Sequence, residues 1–518
     1  MKQHPLCTDP DHGPTVMDLP IADGLKLEWA AMQTRRQFFG RAGKVLGWAA
    51  MASLLGREKA DAAVKSAGQA GQSGAIPTPE MIKLPHFAPK AQRAIYLFMS
   101  GAPSQVDLFD YKPGLAAQYD KDMPDSVRGG QQLTGMTAGQ ARFPVAPSHW
   151  AFKQYGKTGA WVSDLLPHTA KMVDELAIIK SLNTDAINHE PAIMLMNTGN
   201  MNAGKPCLGS WLSYGLGSMN DNLPTFMVLQ TKTNPKENNQ PVSSRLWSSG
   251  YLPSEHAGVG LRSAGDPVLF LNNPAGVDRE VRRKMLDAVE AINRETYAEL
   301  GDPETNTRIA QYEMAYRMQA SVPELTDLSK EPKSTWDLYG EEARIPGSFA
   351  YNCLMARRLA ERGVRFTQVY KRGWDTHADA VGMLPLLCGE VDRASYALVT
   401  DLKQRGLLDD TLVVWGGEFG RTVYSQGGLS KDNYGRDHHP RCFTVWMAGG
   451  GVKSGLVYGE TDDYSYNVVR DPVPVRNFNA TVLHCLGLDH NKMTFLSQGL
   501  EQKLTGTTPA EVVRGLLA

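Results

Sequence analysis

The chain has 518 residues, and its 54 Lys and Arg residues nearly balance its 55 Asp and Glu residues. A formal net charge of -1 gives no overall attraction to a polyanion, so nucleic acid is excluded as an expected partner. With 42% hydrophobic and 21% charged residues, the composition is that of a globular protein with a buried core. The length suits one large α/β domain with insertions, or two ordinary domains.

The start of the chain has the pattern of a twin-arginine signal peptide. Arg35 and Arg36 stand in the run TRRQFF, and the apolar stretch 45–55 that follows is too short to anchor the chain across a bilayer. An A-x-A cleavage motif ends at Ala62. An amphipathic surface helix with an accidental arginine pair is the alternative. We therefore predict a signal peptide at 1–62 and a linker at 63–90.

This leader implies a partner and a location. The twin-arginine export machinery moves folded proteins, so the chain is expected to fold and to take up any metal before it crosses the membrane. We expect the mature protein in the periplasm or outside the cell, with no stable membrane anchor after cleavage.

Apolar runs and helical patterns alternate along the body of the chain, which predicts βαβ units. The first run, Ala94–Met99, opens into a loop, as a buried parallel strand does. The predicted strands are 94–99, 177–179, 364–370, 411–415 and 443–448, and the predicted helices are 165–176, 192–197, 278–319, 351–362, 384–404 and 479–486. The pattern predicts a doubly wound α/β fold with a mainly parallel sheet and helices on both faces. Residues 230–345 are richer in polar residues and Pro, and are expected to form an insertion or cap.

The chain has only six cysteines. Cys7 lies in the leader, and the five other cysteines form no CxxC pair and no zinc-site spacing. We expect most of these cysteines to be buried free thiols. In an oxidising compartment one disulfide can form, and the sequence does not identify its two cysteines.

Polar clusters follow the predicted strands, where ligands bind in doubly wound sheets. Carboxylates and imidazoles are the ligands of divalent ions such as zinc or manganese. An isolated Asp at a strand end also serves as a helix cap, which is the alternative for Asp107 and Asp375. The candidates, in chain order, are Asp107, Asp375, His377, Glu418, Arg421, Arg436, His438 and His439.

Five segments carry a family resemblance: SGAPSQVDLFDYKP, GSWLSYGLGS, GWDTHAD, LVVWGGEFGRT and GRDHHP. They resemble the bacterial family catalogued as domain of unknown function 1501, over nearly all of residues 90–500. That family is similar to a branch of the alkaline phosphatase and sulfatase superfamily, whose members hydrolyse phosphate or sulfate esters with one or two metal ions. The resemblance implies one such domain at 91–500, with 501–518 as a C-terminal tail.

The superfamily pattern implies metal ligands in this chain. Its strand followed by Asp-His-Gly matches 411–420, with Glu418 in place of the Asp and Phe419 in place of the His. His439 matches the late metal-binding His of the superfamily. Asp375 and His377 resemble its Asp-plus-His pair, at a shorter spacing.

Two further residues are second-rank candidates for the same site. The superfamily's first-strand Asp has no match at Ser100 or Gly101, so Asp107 is the replacement from further along the loop. His438 is a second candidate beside His439. The expected cofactor is a divalent metal, namely zinc, manganese or calcium.

The nucleophile position of the sulfatases is occupied by His189 in this chain, where no hydroxyl or thiol is available. Three roles are open for His189: a phosphoryl-accepting nucleophile, a metal ligand or a residue that only starts a helix. A metal that lowers the pKa of water towards about 7 is another source of a nucleophile.

Two functions therefore compete. One is an exported metal-dependent hydrolase of phosphate or sulfate esters, in which Arg421 or Arg436 neutralises an anionic small-molecule or polysaccharide substrate. The other is a catalytically inactive relative that acts as an exported binding or assembly protein. The missing nucleophile favours the second function, and the surviving carboxylates and imidazoles favour the first.

Overall fold

The computed structural model describes residues 84–518, apart from 233–239, 241, 263–266, 269–271 and 275. The chain divides into two units, Met1–Thr78 and Pro79–Ala518, and the described residues belong to the second. The predicted signal peptide with Arg35 and Arg36 lies outside the described residues. None of the helices in the described part is long and apolar enough to cross a membrane.

Seventeen strands and ten α-helices are present in the described part of the chain. The strands are β1 (Arg93–Met99), β2 (Phe152–Tyr155), β3 (Ala160–Ser163), β4 (Leu176–Asn183), β5 (Phe226–Gln230), β6 (Val259–Leu261), β7 (Phe366–Lys371), β8 (Thr411–Gly416), β9 (Gly420–Ser425), β10 (Arg436–His439), β11 (Phe443–Ala448), β12 (Leu456–Tyr458), β13 (Glu460–Thr461), β14 (Val468–Arg470), β15 (Val473–Pro474), β16 (Phe495–Ser497) and β17 (Leu500–Gln502). The helices are α1 (Gln105–Leu108), α2 (Asp125–Arg128), α3 (His189–Thr198), α4 (Leu208–Leu216), α5 (Arg279–Leu300), α6 (Pro303–Thr326), α7 (Lys333–Tyr339), α8 (Phe349–Glu361), α9 (Ala380–Gln404) and α10 (Val475–Cys485).

A nine-stranded sheet forms the centre of the fold. Its order is β12-β4-β11-β8-β1-β7-β5-β6, and β15 also pairs with β4. The central strand β1 is parallel to both of its neighbours, with Leu97 opposite Val369 on one side and Trp415 on the other. Within the described sheet, only β11 runs antiparallel to its neighbours. The mainly parallel sheet expected from the sequence is confirmed.

Helices cover both faces of this sheet. Because side chains alternate along a strand, Ile95 and Leu97 of β1 face one core, and Tyr96 and Phe98 face the other. The first core is shared with α8 and α9, and the second with α3, α4 and α10. The doubly wound α/β class is thus confirmed, and β1 is buried along its whole length.

Two predicted helices differ from the structure. Residues predicted as one helix at 278–319 form α5 and α6, because Gly301 ends α5 in the left-handed conformation. Asp302 then caps the start of α6 by accepting a hydrogen bond from the N–H of Glu304. The helix predicted at 165–176 is instead a short 3₁₀ helix, Thr169–Glu175.

The segment 230–345, predicted as an insertion or cap, contains β6, α5, α6 and α7. Its strand β6 joins the edge of the sheet by parallel pairing with β5. Its boundaries as a separate unit stay a prediction. The five cysteines in the described part, Cys207, Cys353, Cys388, Cys442 and Cys485, are buried free thiols.

Candidate metal centre

Four side chains meet beyond the carboxyl ends of the strands. His189 is the first residue of α3, which follows β4, while Asp375 and His377 lie in the loop that follows β7. His438 lies in β10, which pairs with β9 directly after β8. Since β4, β7 and β8 run in one direction, their carboxyl ends bring these segments together at one edge of the sheet.

Three imidazole nitrogens surround one carboxylate oxygen in this group. The Oδ1 atom of Asp375 lies 2.7 Å from Nε2 of His377, 3.0 Å from Nε2 of His189 and 3.5 Å from Nε2 of His438. The Nε2 atoms of His377 and His438 are 3.0 Å apart. All four ligand atoms lie within 4.8 Å of one another.

The other ring nitrogen of each histidine contacts an oxygen atom. Nδ1 of His189 is 2.6 Å from Oε1 of Glu418, and Nδ1 of His377 is 2.6 Å from Oε1 of Gln426. Nδ1 of His438 is 2.8 Å from the carbonyl oxygen of Ile187. An oxygen acceptor favours the tautomer with its proton on Nδ1, and leaves the lone pair on Nε2. Metal-binding histidines are oriented in this way.

This arrangement suits a cation at the centre of the group. Lone pairs on three Nε2 atoms would otherwise face one another and a carboxylate oxygen, which is unfavourable in a buried site. Nε2 of His189 is buried and makes no aligned hydrogen bond, although Asp375 is close. A tetrahedral ion with bonds of about 2.0 to 2.1 Å has ligand atoms about 3.3 Å apart. Four of the separations in this group are 2.7, 3.0, 3.0 and 3.5 Å, and all lie within 4.8 Å. The residues therefore fit a metal ion.

The donor set also bears on which metal suits the site. Imidazole nitrogens and a carboxylate oxygen suit zinc or manganese. Calcium prefers a set made entirely of oxygen atoms, so this cluster favours zinc or manganese over calcium.

The pKa values of the group reflect burial and mutual contact. Burial lowers the pKa of His189, but its contacts with Asp375 and Glu418 outweigh that effect and raise the pKa above its ordinary value. Burial lowers the pKa of His438 to about 4, so this imidazole is neutral at neutral pH. Burial raises the pKa of Asp375, but the three histidines and Arg421 outweigh it and lower the pKa below its usual range.

Glu418 does not belong to the cluster but contacts one of its members, His189. Its buried carboxylate accepts a hydrogen bond of 3.0 Å from the N–H of Gly101, and it contacts His189 rather than the centre. Gly101 has φ +109°, and a Cβ there would lie 2.6 Å from the backbone nitrogen of Asp375. A glycine is therefore required where the end of β1 approaches the Asp375 loop.

Arg421 fixes the Asp375 carboxylate. It is fully buried, and its Nη2 atom donates to Oδ1 of Asp375 at 2.6 Å and to the carbonyl of Gly101. Its Nε and Nη1 atoms donate to the carbonyls of Ala102 and Arg436. The guanidinium is thus held inside the fold and is not presented to solvent, where an anionic substrate would meet it.

His439 lies away from the cluster, although it is adjacent to His438. Consecutive residues of a strand point to opposite faces, so only one of the two imidazoles can point to the centre. Nε2 of His439 is 2.7 Å from the carbonyl oxygen of Tyr466, and burial lowers the pKa of His439 to about 3. The structure therefore brings Asp375 and His377 together with His438, and not with His439.

Asp107 and Arg436, two further candidates, form an ion pair and do not belong to the four-residue group. The Arg436 guanidinium donates to both carboxylate oxygens, at 2.7 and 3.0 Å, and both residues are fully buried. Ser104 and Tyr434 donate two more hydrogen bonds to the same carboxylate. This carboxylate and this guanidinium are therefore engaged with each other.

Two glutamines also contact the cluster, and neither lies in the sequence motifs that contain its members. Gln426 contacts His377, and Nε2 of Gln240 donates to Oδ2 of Asp375 at 2.5 Å. Gln426 lies after β9, between the segments that contain Arg421 and His438, and this position in the sequence is the signal that marks it. Gln240 lies in a polar loop, and no motif marks it.

A comparison with family models matches residues 91–517 to a family described as "Protein of unknown function (DUF1501)". The chain belongs to the DUF1501 family. The family assignment expected from the five sequence segments is confirmed. No curated protein matches this DUF1501 chain.

Solved structures similar to this DUF1501 protein include three from named bacteria. One is the PsFucS1 sulfatase from Pseudoalteromonas sp., with 12% identity, 77% of this chain and 68% of that chain covered, and a TM-score of 0.31. A second is a protein in the alkaline phosphatase superfamily from Vibrio parahaemolyticus, with 10% identity, 79% and 70% covered, and a TM-score of 0.31. The third is the lipoteichoic acid synthase LtaP from Listeria monocytogenes, with 10% identity, 82% and 76% covered, and a TM-score of 0.31.

Proposed function

We propose that this DUF1501 protein is an exported metal-dependent hydrolase of phosphate or sulfate esters. The observation that carries the proposal is the convergence of Nε2 of His189, His377 and His438 on Oδ1 of Asp375. A bound divalent metal would polarise an ester oxygen and lower the pKa of a water molecule towards about 7. The substrate class is an anionic small-molecule or polysaccharide ester.

The residues of the chain divide this work between holding and orienting. Asp375 and the three histidines supply the ligand atoms, and Arg421 holds the Asp375 carboxylate in place. Glu418 orients the ring of His189. Because Nδ1 of His189 contacts Glu418 and its Nε2 faces Asp375, the geometry supports a ligand role for His189 over a nucleophile role.

The contacts of the two buried arginines support the same assignment of roles. The guanidinium groups of Arg421 and Arg436 donate to carbonyl and carboxylate oxygens inside the fold. The positive charge that neutralises an ester anion would therefore come from the metal, and not from either arginine. His377, with 17% of its side chain exposed, is the most accessible member of the cluster and indicates the side from which an ester approaches.

The internal pairing of both arginines also favours a second candidate function. In this candidate, the protein holds one metal ion but presents no guanidinium to an anion and has no hydroxyl nucleophile at the His189 position. Such a protein would serve as an exported binding or assembly protein. This candidate keeps the metal and lacks turnover, so the two functions differ in one measurable property.

The metal site is tested by metal content, measured by mass spectrometry after dialysis of the purified mature protein against zinc or manganese. We expect about one equivalent in the wild type, loss in His438→Ala and retention in His439→Ala. The two variants are a matched pair, since both remove a buried imidazole from adjacent positions of β10. Equal metal content in both variants, or none in the wild type, would refute the site.

Turnover then separates the two functions. The metal-loaded protein is assayed with aryl phosphate monoesters, aryl phosphate diesters and aryl sulfates, with and without a chelator. Hydrolysis that is lost with the chelator and in His438→Ala supports the hydrolase. Stoichiometric metal without hydrolysis of any of these esters favours the binding protein.

A further inference from the structure

Helix α5 carries an exposed apolar face. Val281, Met285, Val289 and Ile292 are exposed, and Ile292 retains 63% of its accessible surface. Their spacing of four, four and three residues places them on one side of a helix with 3.6 residues per turn. Leu286, by contrast, is buried, so the helix has one face against the protein and a second apolar face in solvent.

The charges along α5 are separated into two halves. Four of the six residues 279–284 are basic and one is acidic. From residue 286 to its end, the helix carries four acidic residues and one basic residue. A partner that covers the apolar face is therefore expected to be acidic at one end and basic at the other.

We infer that this face binds the same face of a second copy of the chain, in an antiparallel pair about a two-fold axis. In a dimer with a two-fold axis, a surface patch of one chain contacts the same patch of the second chain. In an antiparallel helix pair, the basic half of each helix lies against the acidic half of the other. A parallel pair would place like charges together. An anionic membrane surface would be repelled by the acidic half.

The positions of individual residues are consistent with this pairing. With the axis near Val289, Met285 of one copy lies opposite Ile292 of the second copy. Lys284 then lies within about one helical turn of Glu295 of the second copy, on the same flank of the apolar face. Lys284 contacts Glu280 at 2.9 Å within its own helix, but such exposed pairs contribute little and can exchange partners.

The mass of the purified mature protein in solution tests the pair, by light scattering and sedimentation equilibrium over a concentration series. We expect a concentration-dependent dimer for the wild type and at least about tenfold weaker association for Met285→Glu with Ile292→Glu. The matched control is Leu496→Glu with Leu500→Glu, which places the same charges at exposed apolar positions of β16 and β17 and should leave the dimer unchanged. Thermal unfolding shows whether each variant is folded.

A charge exchange makes the test specific for the antiparallel arrangement. Arg282→Glu with Lys284→Glu gives both halves of α5 a net negative charge, and Glu295→Lys with Glu299→Lys gives both halves a net positive charge. Each variant alone should be monomeric, and an equimolar mixture should form a heterodimer.

Three results would overturn the inference. One is a wild type that stays monomeric at every concentration, and another is a dimer that the α5 apolar variant leaves intact. The third is a monomeric wild type whose apolar variant unfolds at a lower temperature, which would show that another segment of the same chain covers this face.

Discussion

Oε1 of Glu418 lies 2.6 Å from Nδ1 of His189, on the side of the ring away from the cluster. The same carboxylate is anchored to the N–H of Gly101 at the end of β1. Glu418 thus links the central strand of the sheet to the orientation of the His189 ring. Groups in this position set the tautomer and the basicity of a metal-binding histidine.

Replacement of Glu418 should therefore weaken metal binding without removing a ligand. We expect Glu418→Gln to lower the affinity for zinc by about 10- to 100-fold, since the variant keeps the shape of the side chain and loses its charge. Competition with a chelating dye measures the affinity. Asp410→Asn is the control, because Asp410 pairs with Arg93 at the opposite end of β8. Equal affinities in both variants would contradict a positioning role for Glu418.

Gly435 should be needed for the position of His377. A Cβ at residue 435 would lie 1.7 Å from the carbonyl oxygen of His377, so either the loop or β10 must move in Gly435→Ala. We expect this variant to lose at least about tenfold in metal affinity. Gly428→Ala is the matched control, since no atom lies within 4 Å of its added Cβ. Wild-type affinity in Gly435→Ala would show that the approach of the two segments does not fix the site.

The sequence predicted the strands better than the choice of side chains that meet at the sheet edge. Apolar runs and the rule of strand ends identified β1, β8 and β11 and placed Asp375 and His377 at the correct edge of the sheet. The choice between His438 and His439 depends on which face of β10 points to the centre. Strand register decides that, and the motif GRDHHP contains both residues without fixing it.

The arginines show a second limit of sequence reasoning. Arg421 and Arg436 are the residue type expected to meet an anionic ester, and each directly follows a glycine. Their actual partners, Asp375 and Asp107, are distant in sequence and came from the same group of candidate ligands. A motif identifies the charged residues that lie at a sheet edge. Which of these residues pair with one another depends on how the loops pack.

The buried pair of Asp107 and Arg436 should be important for stability. Asp107→Asn leaves a buried guanidinium without its counter-charge, which typically costs about 3 to 5 kcal/mol of the free energy of unfolding. Asp337→Asn removes the same charge from an exposed helical pair with Lys333 and should cost at most about 1 kcal/mol. Urea unfolding of both variants measures the difference. Similar losses would contradict the structural role of the buried pair.

Export should depend on the arginine pair of the leader. We expect Arg35→Lys with Arg36→Lys to leave full-length precursor in the cytoplasm, because the export receptor distinguishes the guanidinium pair from charge alone. Cell fractionation and immunoblotting measure the location. Arg41→Lys, a basic residue just beyond the pair, is the control and should be exported normally. Undiminished export of the double variant would contradict the twin-arginine assignment.

His256 should make the stability of the folded chain depend on pH. Its Nδ1 atom lies 3.0 Å from Oγ of Ser213, and burial lowers the pKa of His256 from 6.5 to about 4. Between these two values the unfolded chain binds a proton that the folded chain does not bind. The contribution of His256 to the free energy of unfolding is therefore constant above pH 6.5, and falls as the pH decreases from 6.5 to about 4.

The matched measurement compares the wild type with His256→Gln, which keeps a polar side chain and removes the titration. Below pH 6.5 the wild type should lose stability faster than the variant, with a difference that approaches about 1.4 kcal/mol per pH unit. Urea unfolding at several pH values between 4.5 and 7.5 gives both curves, so that the other titrating groups cancel in the difference. Because the effect arises from His256 alone, the two curves should run parallel above pH 7. Curves that stay parallel down to about pH 4.5 would show that His256 can take up its proton in the folded state.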